Sequence, residues 1–127
     1  MRPKFLAFIT LASLALAAQA LAQAPAPPRG SADGPAVAYF NRCASLYNMG
    51  KTDADAIAAC DLAIAADPKK ADAYFVKGSM LFSNGNIDKN NKFKVPPGTV
   101  ESFKQYLAVA PNGPHAPDVK QMLDALN

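Results

Sequence analysis

The chain has 127 residues, 50% hydrophobic and 18% charged, with a formal net charge of +3. That length suits one small domain. No basic block with interleaved aromatics and no acidic tail occurs, which argues against nucleic acid or an anionic membrane surface as partner.

Arg2 and Lys4 open the chain, and residues 5–18 are an unbroken run of apolar and small residues. The small-x-small triplets Ala18-Gln19-Ala20 and Ala20-Leu21-Ala22 follow, so residues 1–22 have the layout of a secretory signal peptide. The run is shorter than the roughly 20 residues a spanning helix needs, and no positive stop-transfer flank follows it. The expectation is export to the periplasm or the secreted fraction, with cleavage after Ala22 and no membrane-spanning segment. Loss of Arg2 and Lys4 leaves 11 basic against 10 acidic residues, a net charge near +1. Residues 23–35 (QAPAPPRGSADGP) are rich in Pro, Ala and Gly and carry no large apolar side chain. They read as a disordered linker, because they bury too little to offset their ordering entropy. Residues 36–127 remain as the folded domain.

Residues 36–49 carry Tyr39, Cys43, Leu46 and Tyr47 at helical spacing and stop at Gly50. Thr52 with Asp55 resembles a capping box, and Ala56, Ile57, Cys60, Ala63 and Ile64 form the stripe of a second helix. Pro68 ends it, since the residue before proline is pushed out of the α region. A third helix covers residues 71–84 and stops at Gly85. A fourth carries Val100, Phe103 and Leu107, with Thr99 as candidate cap, and ends before Pro111. The last starts at Pro114 and lines Val119, Met122, Leu123 and Leu126 on one face. His115, in its first turn, is expected to be solvated and away from any partner group. Residues 86–97 (NIDKNNKFKVPP) set β-formers on both sides of Asn90-Asn91, a dipeptide tolerant of left-handed turns, and predict a small β-hairpin or ordered loop. A calcium loop at residues 88–92 is disfavoured, because Lys92 stands in an acidic ligand slot and the twelfth-position glutamate is missing.

Residues 36–51 (AVAYFNRCASLYNMGK) recur as residues 71–86 (ADAYFVKGSMLFSNGN), 35 positions on. Ala36/Ala71, Ala38/Ala73, Tyr39/Tyr74, Phe40/Phe75, Leu46/Leu81 and Gly50/Gly85 are identical. A period of this size marks a repeat in which each unit needs its neighbour to cover its apolar face. The predicted fold is all-α: two antiparallel helix hairpins plus a C-terminal capping helix, with the hairpin-like insert splitting the second unit.

These residues resemble the tetratricopeptide repeat, whose pattern is W-x₂-L-G-x₂-Y, then A-x₃-F, then P. Tyr39, Cys43 and Leu46, followed by Ala56, Cys60 and Pro68, fill the slots of the first unit. Tyr74, Gly78 and Leu81, followed by Thr99, Phe103 and Pro111, fill those of the second, while Arg42 and Lys77 depart from the family's Leu. Residues 95–126 also look like the closing segment of small exported bacterial members. The resemblance implies that the first helix of each hairpin lines a concave face, bearing Phe40, Asn41, Ala44, Tyr47 and Asn48 from one unit. Phe75, Val76, Ser79, Phe82 and Ser83 would come from the other. Phe40/Tyr47 and Phe75/Phe82 are each seven apart, so four rings should project on one side. The carboxylate clamp of chaperone-tail-binding relatives is not expected, since Phe40 and Ala44 replace the Lys and Asn it requires.

One histidine, with Asp53, Asp55, Asp61 and Asp67 spread over one helix, offers no nucleophile-base-acid set, metal spacing or phosphate loop. The expected role is therefore non-catalytic and cofactor-free. It is a protein-protein interaction module of the bacterial cell envelope or secreted fraction, taking a partner segment against Phe40, Asn41, Tyr47, Asn48, Phe75 and Phe82. The alternative is a small-ligand or glycan carrier using the same groove. Cys43 and Cys60 lie symmetrically about the turn at residues 50–52, so an antiparallel hairpin sets them at the same height. A disulfide is expected in an oxidising compartment. Two buried free thiols acting as small apolar residues are the alternative. In the second unit Gly78 and Phe103 hold the matching positions, a small residue beneath a bulky one.

Overall fold

The computed structural model describes residues 34–127, in the order α1 (Gly34–Asn48), α2 (Ala54–Ala66), α3 (Ala71–Ser83), β1 (Asn86–Ile87), β2 (Phe93–Lys94), α4 (Thr99–Val109) and α5 (Ala116–Asp124). The expected signal peptide, residues 1–22, and residues 23–33 of the expected linker lie outside the described residues. The architecture is helical with one small antiparallel sheet, in line with the sequence expectation. α1 takes in Gly34 and Pro35, the last two residues assigned to the linker.

The helix ends follow from local chemistry. Gly50 adopts φ +73°, a left-handed conformation in which its N–H donates to Tyr47 O at 2.9 Å. Lys51 N–H donates to Leu46 O at 2.9 Å, and together these bonds satisfy the last carbonyls of α1. The cap of α2 is Asp53 and not Thr52: Asp53 Oδ1 accepts from Ala56 N–H at 3.0 Å. Thr52 is committed elsewhere. Its hydroxyl donates to Asn84 Oδ1 at 2.8 Å, and Asn84 Nδ2 donates back to Thr52 O at 2.6 Å. This reciprocal pair sets the C-terminal ends of α1 and α3 side by side. α4 is capped by Gly98, whereas the expected cap Thr99 is fully buried as the first helical residue, its hydroxyl donating to Pro96 O at 2.7 Å. α5 begins two residues beyond Pro114, with His115 in the N-cap position.

α1 packs chiefly on α2 and α3 on α4, while α3 also meets α1 and α2, and α5 rests on α4. Two clusters make the core. Cys43, Ala56, Ala59, Cys60, Val76 and Met80 fill the space between α1, α2 and α3. Phe103, Tyr106, Ala116 and Val119 fill the space between α4 and α5, with Tyr74, Phe75 and Phe82 of α3 packed against them. α3 therefore serves both clusters. Val100 sits at the surface, 36% exposed, so the buried face of α4 is built on Phe103 and Tyr106 and not on the expected Val100 stripe.

The two helix pairs close the same contact in different ways. In the first, Cys43 and Cys60 are joined by a disulfide, with Cα atoms 4.8 Å apart and both side chains fully buried. The bond, not the pair of free thiols, is what the structure holds, and Met80 Sδ lies 3.9 Å from Cys60 Sγ. In the second pair the ring of Phe103 lies flush on Gly78. A Cβ added there would stand 2.6 Å from Phe103 Cε1, closer than side-chain carbons approach.

The insert is a hairpin pairing Asn86 with Lys94 and Ile87 with Phe93, and Asn91 at its turn takes φ 59°. Asp88 organises the turn by accepting from Asn90 N–H at 2.8 Å and Lys92 N–H at 3.0 Å. The bond from Lys92 N–H, with smaller help from Asn90 N–H and the Lys94 charge, holds the Asp88 carboxyl below its usual range.

Among the described residues, Ser79 Oγ is the buried side-chain polar atom left without a hydrogen-bond partner. Leaving such a hydroxyl unsatisfied costs on the order of 1 kcal/mol or more. Ser79→Ala removes that penalty and adds helix propensity. It should raise the urea midpoint, with a gain of about 1 kcal/mol; a lower midpoint would show that the hydroxyl has a bound partner in solution.

Candidate functional site

The residues expected on the concave face separate into three groups. Asn41, Asn48 and Ser83 are exposed, while Val76 and Ser79 are buried in the helix interface. The four rings are half-buried, each in a different setting. Phe40 and Tyr47 lean on the disulfide cluster, and Lys70 Nζ sits 4.5 Å from the Phe40 ring centroid. This cation–π contact covers part of the ring with a charge of the chain's own.

Phe75 is covered by His115. The two rings stack with centroids 3.9 Å apart and an interplanar angle of 4°, and Tyr106 approaches Phe75 at 5.9 Å. His115 is thus half-buried against an aromatic face and not simply solvated. Its position is fixed from the backbone side as well, since His115 N–H donates to the Tyr106 hydroxyl at 2.9 Å. The fully buried Tyr106 therefore anchors the start of α5 from within the core.

Phe82 is the ring that opens outward. Phe93 of β2 meets it edge-on at 5.2 Å and Phe103 supports it at 6.2 Å. Its free side enters a cleft of about 330 Å³ lined by Asp118, Gln121, Met122 and Ala125 of α5 and its C-cap. Phe82 and Met122 supply an apolar floor, whereas Asp118 and Gln121 are exposed at the rim. A thioether beside an aromatic ring makes an adaptable apolar surface. The ion pair found among the described residues, Lys77 Nζ–Asp61 Oδ1 at 2.6 Å, lies between α2 and α3 and leaves Asp118 without a cationic partner there.

Of the expected partner-binding residues, then, the cleft takes in Phe82, while Phe40, Tyr47 and Phe75 are packed by other parts of the chain. Asp118, Gln121 and Ala125 carried no signal in the sequence. Met122 did, but as a packing residue of the last helix. Among the described residues no group of three or more His, Cys, Asp and Glu could hold a metal ion, and no helix is long and apolar enough to cross a membrane. Comparison of the chain with protein-family models, with curated proteins and with solved structures returns no match.

Proposed function

We propose that this chain is a non-catalytic protein-interaction module of the bacterial cell envelope or secreted fraction, built on two tetratricopeptide-type hairpins and a capping helix. The observation that carries the proposal is the open cleft between α3 and α5, with Phe82 and Met122 on its floor. Desolvated apolar anchors with a polar rim are the usual basis of partner capture. The repeat reading is supported by the matched contacts Cys43/Cys60 and Gly78/Phe103, the second pair displaced by one period and, for Phe103, by the eight-residue insertion. Export is supported by the buried disulfide, a bond that persists in oxidising compartments.

Ala125 is exposed at the end of the cleft, so Ala125→Trp fills the space without disturbing either core cluster. Affinity capture from the native envelope, followed by mass spectrometry, should recover at least about tenfold less partner with this variant. Circular dichroism should be unchanged. Full retention of the partner would remove the cleft as the binding site.

A further inference from the structure

The insert has no role in either core cluster, yet it forms one wall of a second cavity that adjoins the cleft. This cavity, about 340 Å³, is lined by Lys92, Phe93 and Lys94 of the hairpin and by the chain's last residues. Ala125 lines both cavities, and the edge contact between Phe82 and Phe93 joins their floors. The two are halves of one track.

The track is electrically polarised. At one end stands Asp118, and at the other the hairpin, which carries Lys89, Lys92 and Lys94 against Asp88 alone. The Asp88 carboxylate is engaged by two backbone N–H groups of its own turn, and Lys92 and Lys94 enter no ion pair among the described residues. The Asn127 amide, also at this cavity, donates to Leu123 O at 3.2 Å. Asp118 and Ala125 are seven positions apart along α5, a rise of about 10 Å at 1.5 Å per residue. An extended peptide covers that distance in about three residues. The Debye length at physiological salt is about 8 Å, so each end of the track acts on the charge nearest to it.

We infer that the insert completes a charge-polarised docking track for an extended peptide segment in which apolar anchor residues lie between a basic residue facing Asp118 and an acidic residue facing Lys92 and Lys94. The inference rests on the proposed binding role of the cleft and assigns the chemistry of its occupant. Phe82 and Met122 take the apolar anchor. The acidic side chain enters the hairpin half, where two lysines converge beside the Phe93 ring. The opposed ends select against peptides that are acidic throughout or basic throughout, because one end repels each of them.

The test is selection of a phage-displayed library of random dodecapeptides on the protein purified from its host. Enriched peptides should carry apolar residues flanked by Lys or Arg on one side and by Asp or Glu two to four positions away on the other. Lys92→Glu/Lys94→Glu alters exposed positions only, and its fold is checked by circular dichroism. It should weaken the selected peptides about tenfold and erase the acidic preference on reselection. Apolar enrichment without charge bias, or a charged consensus that the double variant binds equally well, overturns the track and leaves the cleft standing. Absence of any enrichment over bare support overturns the cleft reading and the track with it. A consensus matching a segment of this chain identifies a second copy as occupant and overturns the separate-partner reading.

Discussion

Phe103→Ala should lower unfolding free energy by about 3–5 kcal/mol, the usual range for truncating a fully buried phenyl ring. A domain of this size has about 5–15 kcal/mol in total, so the variant should be largely unfolded at moderate temperature. The ring is fully buried, supports Phe82 from behind and rests on the bare backbone of Gly78. The converse change tests the same contact. Gly78→Leu forces a branched side chain into space the ring already fills, and overpacking of that kind adds about 1–3 kcal/mol of destabilisation or more. Gly78→Ala gains up to about 1 kcal/mol of helix propensity but meets the ring at 2.6 Å, so it should still destabilise. Adding Phe103→Leu to Gly78→Ala should recover part of the loss. Urea unfolding of the four variants measures this, and strictly additive effects would show that the two residues do not bear on each other.

Removing the disulfide should be the other large loss. Its cysteines are 17 positions apart, and closing a loop of that length restricts the unfolded chain by about 3 kcal/mol. Cys43→Ala/Cys60→Ala should therefore lower stability by about that amount, with a further decrement from the atoms lost beside Met80. Because both cysteines are fully buried, reductant can reach the bond only when the first helix pair opens. Incubation of the native protein with dithiothreitol should leave it oxidised for long periods, whereas reduction after denaturation should be immediate. Unfolding curves of the variant that coincide with those of the oxidised protein would show the bond to be thermodynamically idle.

Much of the fold was legible because the chain punctuates it. Gly50 and Gly85 close two helices, Pro68 and Pro111 lie just beyond the ends of two more, and Asn90-Asn91 marks the hairpin turn. The Cys43/Cys60 and Gly78/Phe103 contacts were legible through the repeat, since one unit's pairing gives the other's. What escaped depends on contacts far apart in sequence. Thr52 has the right neighbours for a cap, but Asn84, 32 positions on, takes its hydroxyl, and Asp53 caps the helix in its place. His115 has no local partner, and only the docking of α5 lays it on Phe75. The same docking turns four equivalent-looking rings into three packed ones and an open one. The candidate site was therefore half legible: Phe82 from the repeat, and its α5 wall from nothing local.

That wall is held more lightly than the rest. α5 is nine residues long, too short to persist as a helix without tertiary contacts. It rests on α4, with Val119 and Ala116 in the core and the Tyr106–His115–Phe75 contacts at its start. No covalent link ties it down as Cys43–Cys60 ties α1 to α2. In amide hydrogen exchange, α5 belongs to the fast-opening end of the molecule and the bridged pair to the slow end. The cleft is thus bounded on one side by the stable body of the fold and on the other by its most readily detached helix. An occupant spanning both would act as a clamp, slowing exchange in α5 far more than in α1 and α2, so the protection pattern itself reports occupancy.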